Sequence, residues 1–158
     1  MMNQYLTILI ESLKKKVKVL DEIQKCNERQ ADLFKVPDAS LDAFDGTVEE
    51  KSKLIEALVK LDEGFETIYE RIAEEVAIHK ELYADQIREL QELIKKVTDQ
   101  SVTIQAQEAR NKDLVEQYFR NQKTQLKAKK QSSTAAINYY KNMSKTSVVT
   151  PQFLDSKK

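Results

Sequence analysis

Residues 54–76 read LIEALVKLDEGFETIYERIAEEV. The apolar positions Leu54, Leu58, Leu61, Phe65, Ile68, Ile72 and Val76 recur at steps of four, three, four, three, four and four. That spacing is an a/d heptad seam and predicts a long helix with one narrow apolar edge. Between the seam residues lie Glu56, Lys60, Asp62, Glu63, Glu66, Glu70, Arg71 and Glu74, which predict that the other faces stay in water. A helix cannot bury so thin an edge alone, so the rest of the chain must supply partner helices.

Upstream, Leu6, Ile10, Leu13, Val17, Leu20 and Ile23, followed by Ala31 and Phe34, repeat with a period near 3.5 and predict the first partner. Asn3 is a candidate N-cap, and Leu9 and Val19 widen the stripe as expected for a helix with two neighbours. Lys14, Lys15, Lys16 and Lys18 read as a solvated face. Val36-Pro37 ends this helix, because proline disfavours helical geometry in the residue before it. Asp38 or Ser40 can cap the next one, whose seam begins with Leu41, Phe44 and Val48. Gly46 reads as tolerated within that helix; Gly64 is either tolerated or a packing notch. Between His79 and Asp85 no strong breaker occurs, but the seam lapses after Val76 and restarts at Ile87. A turn is expected there, with one continuous helix as the alternative.

Downstream, Ile87, Leu90, Ile94, Val97, Ser101, Ile104, Glu108, Asn111, Val115, Tyr118, Gln122 and Leu126 continue at steps of three and four. The polar members Ser101, Glu108 and Asn111 either fix register at some cost in stability or mark where this helix outruns its partners. The expected architecture is all-α: an elongated antiparallel three-helix bundle or coiled coil with a long third helix. Its body covers 1–130, with helices at about 3–35, 39–79 and 85–130. A C-terminal segment, 131–158, follows. A polar, basic hinge from Lys127 to Thr134 leads to the apolar cluster Ala135, Ala136, Ile137, Tyr139, Tyr140 and Met143. The composition from Ser144 to Lys158 reads as a flexible tail with hydrophobic spots.

Composition excludes several classes. A chain of 158 residues is one domain by length, and two Gly and two Pro are too few for the turns of a sheet protein. Charged residues at 33% against apolar ones at 41%, with helical periodicity, indicate long helices. No apolar run approaches the roughly 20 residues that span a bilayer, and the N-terminus lacks the pattern of a secretory signal. The single cysteine, Cys26, cannot form an internal disulfide, so a cytoplasmic location is expected. The net charge is zero, yet the charges are sorted. Residues 38–92 hold six basic and sixteen acidic side chains, a balance of −10; residues 117–158 hold nine basic and one acidic, a balance of +8. Such a split suits self-association, an acidic partner or an anionic surface. Nucleic acid is disfavoured, because the basic end has no arginine cluster and no recognisable module.

Chemistry is disfavoured too. His79 is the only histidine, so a His-rich zinc site cannot form within one chain. A di-metal carboxylate bundle needs Glu-x-x-His, but the residue three before His79 is Val76. Cys26 and His79 lack the context of a nucleophile pair and read as a helix-surface cysteine and a turn histidine. There is no phosphate loop. No enzyme activity, cofactor or metal is expected. Binding remains. The end of helix three and the segment beyond it carry Tyr118, Phe119, Tyr139, Tyr140, Met143, Val148, Val149, Phe153 and Leu154 with no obvious groove of their own. They are the candidate contacts to a partner. The ordinary alternative is that Ile137, Tyr140 and Met143 pack back on the bundle, or that the tail is idle.

Three runs carry a family likeness: Gln30-Ala31-Asp32-Leu33, Leu41-Asp42-Ala43-Phe44-Asp45, and Glu50-Lys51-Ser52-Lys53-Leu54-Ile55-Glu56-Ala57-Leu58. With Leu61 to Arg71, Ile87 to Gln91 and the ending Phe153-Leu154-Asp155-Ser156-Lys157-Lys158, they resemble the FlgN-type flagellar export chaperones. The resemblance covers most of the chain as a pattern in a long helical protein. It implies a cytoplasmic chaperone for hook-filament junction (hook-associated) proteins that delivers them to the flagellar type III export apparatus. It also implies that the cargo-binding part is the C-terminal helix and tail. The candidate positions there are Tyr118, Phe119, Ile137, Tyr139, Tyr140 and Met143. Two alternatives share every seam argument: a homo-oligomeric coiled-coil scaffold, and an export chaperone for another substrate such as a filament-cap protein.

Overall fold

A computed structural model of the chain describes residues 2–36 and 38–121. Three helices account for nearly all of them: α1, Met2–Leu33; α2, Leu41–Ile78; and α3, Ala84–Asn121. Among the described residues there is no strand. The end of α1 and both ends of α2 have local causes. After α1, the amides of Phe34 and Lys35 bond back to the carbonyls of Ala31 and Asp32, both at 3.2 Å, in a tightened last turn. Ser40 takes the N-cap of α2, its hydroxyl accepting the Ala43 amide at 3.2 Å. His79 caps the other end, and its amide donates to the Glu75 carbonyl at 3.0 Å. The chain turns at 79–83, inside the segment where the seam lapses.

Cross-contacts set the helix order. Arg29 reaches Glu50 and Lys16 reaches Asp62, so the end of α1 lies beside the start of α2. Asn3 meets Gln86, Gln100 donates to the Val17 carbonyl, and Asn111 donates to the Asn27 carbonyl, so α1 and α3 advance side by side. The backbones of α2 and α3 lie along α1 and approach each other closely almost nowhere. The helix that both others pack on is therefore α1, not α2. Ten residues of α1 are buried, against six of α2 and seven of α3. The wider stripe made by Leu9 and other added apolar positions is what lets α1 serve two neighbours.

The core is layered along the bundle. One end holds Leu6, Leu9, Ile10, Leu13, Phe65, Ile72, Tyr83, Leu90 and Ile94. The middle holds Leu20, Ile23, Val97 and Ile104, with Leu54, Ile55 and Leu58 only partly covered. The other end holds Phe44 and Val115, flanked by Leu33, Phe34, Val48 and Phe119.

Two surface expectations are overturned. Lys16, read as part of a solvated face, is buried and bonds Asp62 at 2.5 Å, and Asp62 is itself largely covered. Cys26, read as a surface cysteine, is fully buried, its sulfur accepting from Arg29 Nη2 at 3.0 Å. Of the seven seam residues of α2, only Phe65 and Ile72 are fully buried. Among the described residues α3 is no longer than α2, each having 38 residues. Its expected continuation to residue 130, the hinge and the tail to residue 158 lie outside the described residues.

The glycine question is resolved by space. A methyl group added at Gly46 or Gly64 meets nothing within 4 Å, so neither is a packing notch. Gly46→Ala and Gly64→Ala are each expected to stabilise the protein by roughly 1 kcal/mol through helix propensity alone, read as a rise in urea midpoint. A fall at Gly64 would mean that close packing there has been missed.

Candidate functional site

The turn between α1 and α2 brings aromatic side chains together where α3 ends. Phe34 and Phe44 sit edge to face with centroids 5.3 Å apart. Tyr118 lies 5.5 Å from Phe34, and Phe119 lies 5.6 Å from Tyr118. These are favourable ring separations, worth more than their buried area alone. Phe44 is completely buried, whereas Phe34, Tyr118 and Phe119 remain half-buried. Two of the candidate partner contacts, Tyr118 and Phe119, thus share one aromatic end of the bundle. Ile137, Tyr139, Tyr140 and Met143 lie outside the described residues.

Beneath the aromatics lies a buried polar layer. Lys51, fully buried, donates to Asn27 Oδ1 and Glu108 Oε1, both at 2.6 Å. Asn111 donates to the Asn27 carbonyl at 2.9 Å and to Gln30 Oε1 at 3.2 Å. Gln30 in turn donates to the Thr47 hydroxyl at 2.9 Å, and Asn27 to Gln107 Oε1 at 3.1 Å. All three helices contribute. Burial lowers the Lys51 pKa, and the countercharge of Glu108 limits the fall. Burial likewise raises the Cys26 thiol, the Glu50 carboxylate adding to the rise and the Arg29 guanidinium opposing it.

Such a layer accepts only one alignment of the helices, because a slip of one turn would leave a buried ammonium without acceptors. Glu108 and Asn111 therefore face α1 and α2 rather than an overhang. Placing Leu at these two positions, which a bare polar seam suggests would stabilise, would instead remove the carboxylate that Lys51 bonds and the amide that donates to Gln30 Oε1.

Sequence reading missed Lys51, Asn27, Gln30, Thr47 and the Lys16–Asp62 pair. The signal was present. Lys51 stands three before Leu54, and Asn27 and Gln30 stand four and seven after Ile23, so all three occupy seam positions. A polar residue in a seam between two apolar layers is a candidate for a buried network.

Asp62 gives a pH test. Burial raises its carboxyl above the ordinary 3.8, more than the Lys16 ammonium lowers it. The folded chain therefore holds this proton more tightly than the unfolded chain does. The contribution of Asp62 to stability is largest below pH 3.8 and falls as pH rises through the raised folded value. The stability difference between wild type and Asp62→Asn should shift against wild type across that window in urea unfolding at stepped pH. A difference independent of pH would mean that the carboxyl is not desolvated.

Among the described residues no group of three His, Cys, Asp or Glu side chains is placed to hold a metal ion. Among the described residues no helix is long and apolar enough to cross a membrane. No protein-family model, curated protein or solved structure matches this chain.

Proposed function

We propose that the protein is a cytoplasmic chaperone of the flagellar type III export system. It binds unassembled hook-filament junction proteins, keeps them from associating early and delivers them to the export apparatus. In this reading residues 1–130 form an antiparallel three-helix body whose third helix continues past Asn121. Segment 131–158 supplies apolar side chains that complete a bundle with an amphipathic helix of the cargo. Ordering that segment costs conformational entropy, which moderates affinity and suits a carrier that must release its load.

The observation that supports this most is the aromatic end. Tyr118 and Phe119 stay half-buried beside the fully buried Phe44, at the point where the chain runs on toward Ile137, Tyr139, Tyr140 and Met143. The family likeness of the quoted stretches supplies the cargo class.

A second reading, a homo-oligomeric coiled-coil scaffold, is favoured by the partly covered stripe of α2. Sedimentation with and without a purified junction protein separates the two. The chaperone reading expects a discrete complex of chaperone with cargo. A chain that is a stable dimer or tetramer at low concentration and ignores the junction protein is a scaffold.

A further inference from the structure

The stripe of α2 between Lys51 and Phe65 is under-covered. Leu54, Ile55, Leu58, Val59 and Leu61 are all half-buried, while the stripe of α1 beside them is closed at Leu20 and Ile23. The backbones of α2 and α3 each lie along α1, and α2 and α3 meet mainly through side chains such as Lys51–Glu108 and Phe44 with Val115, so the α2 stripe between Lys51 and Phe65 stays only partly covered. Partly covered apolar surface favours an added amphipathic segment.

The charge around it selects the occupant. Helix α2 carries eleven acidic and four basic residues, a balance of −7. Residues 122–158 carry eight lysines and one aspartate, a balance of +7. That segment also has a stripe of its own, Ala136, Ile137, Tyr140 and Met143, at steps of three and four. Reach is sufficient. The segment departs from the end of α3, beside Phe44 near the start of α2. From Phe44 to Leu58 along α2 is roughly 21 Å, and 37 residues span about 55 Å even if wholly helical.

We propose that the half-covered stripe of α2 from Leu54 to Leu61 is a dock for the chain's own basic segment, 122–158, in the protein without cargo. The dock is an intramolecular latch: apolar side chains of the segment cover the leucines, and its lysines meet the acidic rim. The latch does not depend on the cargo reading. If both hold, the segment cannot lie on α2 and clasp a cargo helix at once, so cargo must displace it.

The test uses the full chain alone, at low concentration, as a mixture of unlabelled and ¹⁵N-labelled protein. A zero-length carbodiimide joins lysines to carboxylates in contact, and mass spectrometry reads the products. The latch predicts links from Lys141 and Lys145 to α2 carboxylates such as Glu56 and Glu63, within single chains. It predicts few links to Asp21 and Glu22, which are exposed on α1. Ile137→Asp with Tyr140→Asp leaves the described body and every lysine intact and should remove the α2 links. Links between labelled and unlabelled chains would assign the stripe to a second copy and overturn the proposal. So would links spread evenly over α1 and α2, links that survive the double substitution, or none to α2.

Discussion

Lys51→Ala is expected to destabilise the fold by about 3–5 kcal/mol, the usual effect of removing one partner from a buried ion pair. The ammonium is fully buried and holds Asn27 of α1 and Glu108 of α3 from α2. Without it the Glu108 carboxylate loses the ammonium it bonds at 2.6 Å, and Asn27 Oδ1 loses its donor. Against a net stability that is typically about 5–15 kcal/mol, such a loss is a large fraction of the whole. The double variant Lys51→Met with Glu108→Leu removes both charges and is expected to recover most of the loss, since apolar replacement of a buried pair is often neutral or stabilising. Its deficit should appear instead as lost uniqueness of alignment. Urea unfolding of Lys51→Met, Glu108→Leu and the double variant completes the cycle. A Lys51→Ala variant as stable as wild type would show that the polar layer does not hold the helices.

Phe44→Ala should cost a similar amount, about 3–5 kcal/mol, by leaving a cavity under Phe34 and Val115. Tyr118 shares the cluster but is half-buried, so Tyr118→Ala should cost far less stability. The pair separates two roles at one end of the molecule. If Tyr118 contacts cargo, its truncation lowers capture while leaving the unfolding midpoint nearly in place. Phe44→Ala should move the midpoint first, as read by thermal unfolding beside a capture assay. Equal midpoint losses for the two would mean that Tyr118 is simply core.

How much of this was legible in the sequence follows from what periodicity can and cannot carry. The three helices were readable because their apolar residues repeat over long stretches, and Val36-Pro37 marks the first break. The turn at 79–83 has no proline or glycine, and only the lapse after Val76 betrays it. Periodicity is silent about neighbours. It could not say that α1 sits between α2 and α3, because that depends on which stripe is wide enough for two partners. Leu9 and Val19 hinted at this, while the regular heptads of α2 drew the eye to the wrong helix. Lys16 looked solvated among Lys14, Lys15 and Lys18, yet it follows Leu13 by three and precedes Leu20 by four. Its long apolar stem fits a seam, and Asp62 takes its charge. The buried network was hidden for the same reason: charge type suggested surface where register dictated interior.

The central claim is that residues up to the end of α3 satisfy their own core and leave the rear of the chain to hold a cargo helix. The direct measurement is a calorimetric titration of a purified hook-filament junction protein into the full chain and into a chain ending at Thr134, with helicity recorded by circular dichroism. The account predicts a binding isotherm for the full chain, none for the shortened one, and a shortened body that keeps its helices. Undiminished affinity in the shortened chain, or a body that unfolds when residues 135–158 are removed, would contradict it.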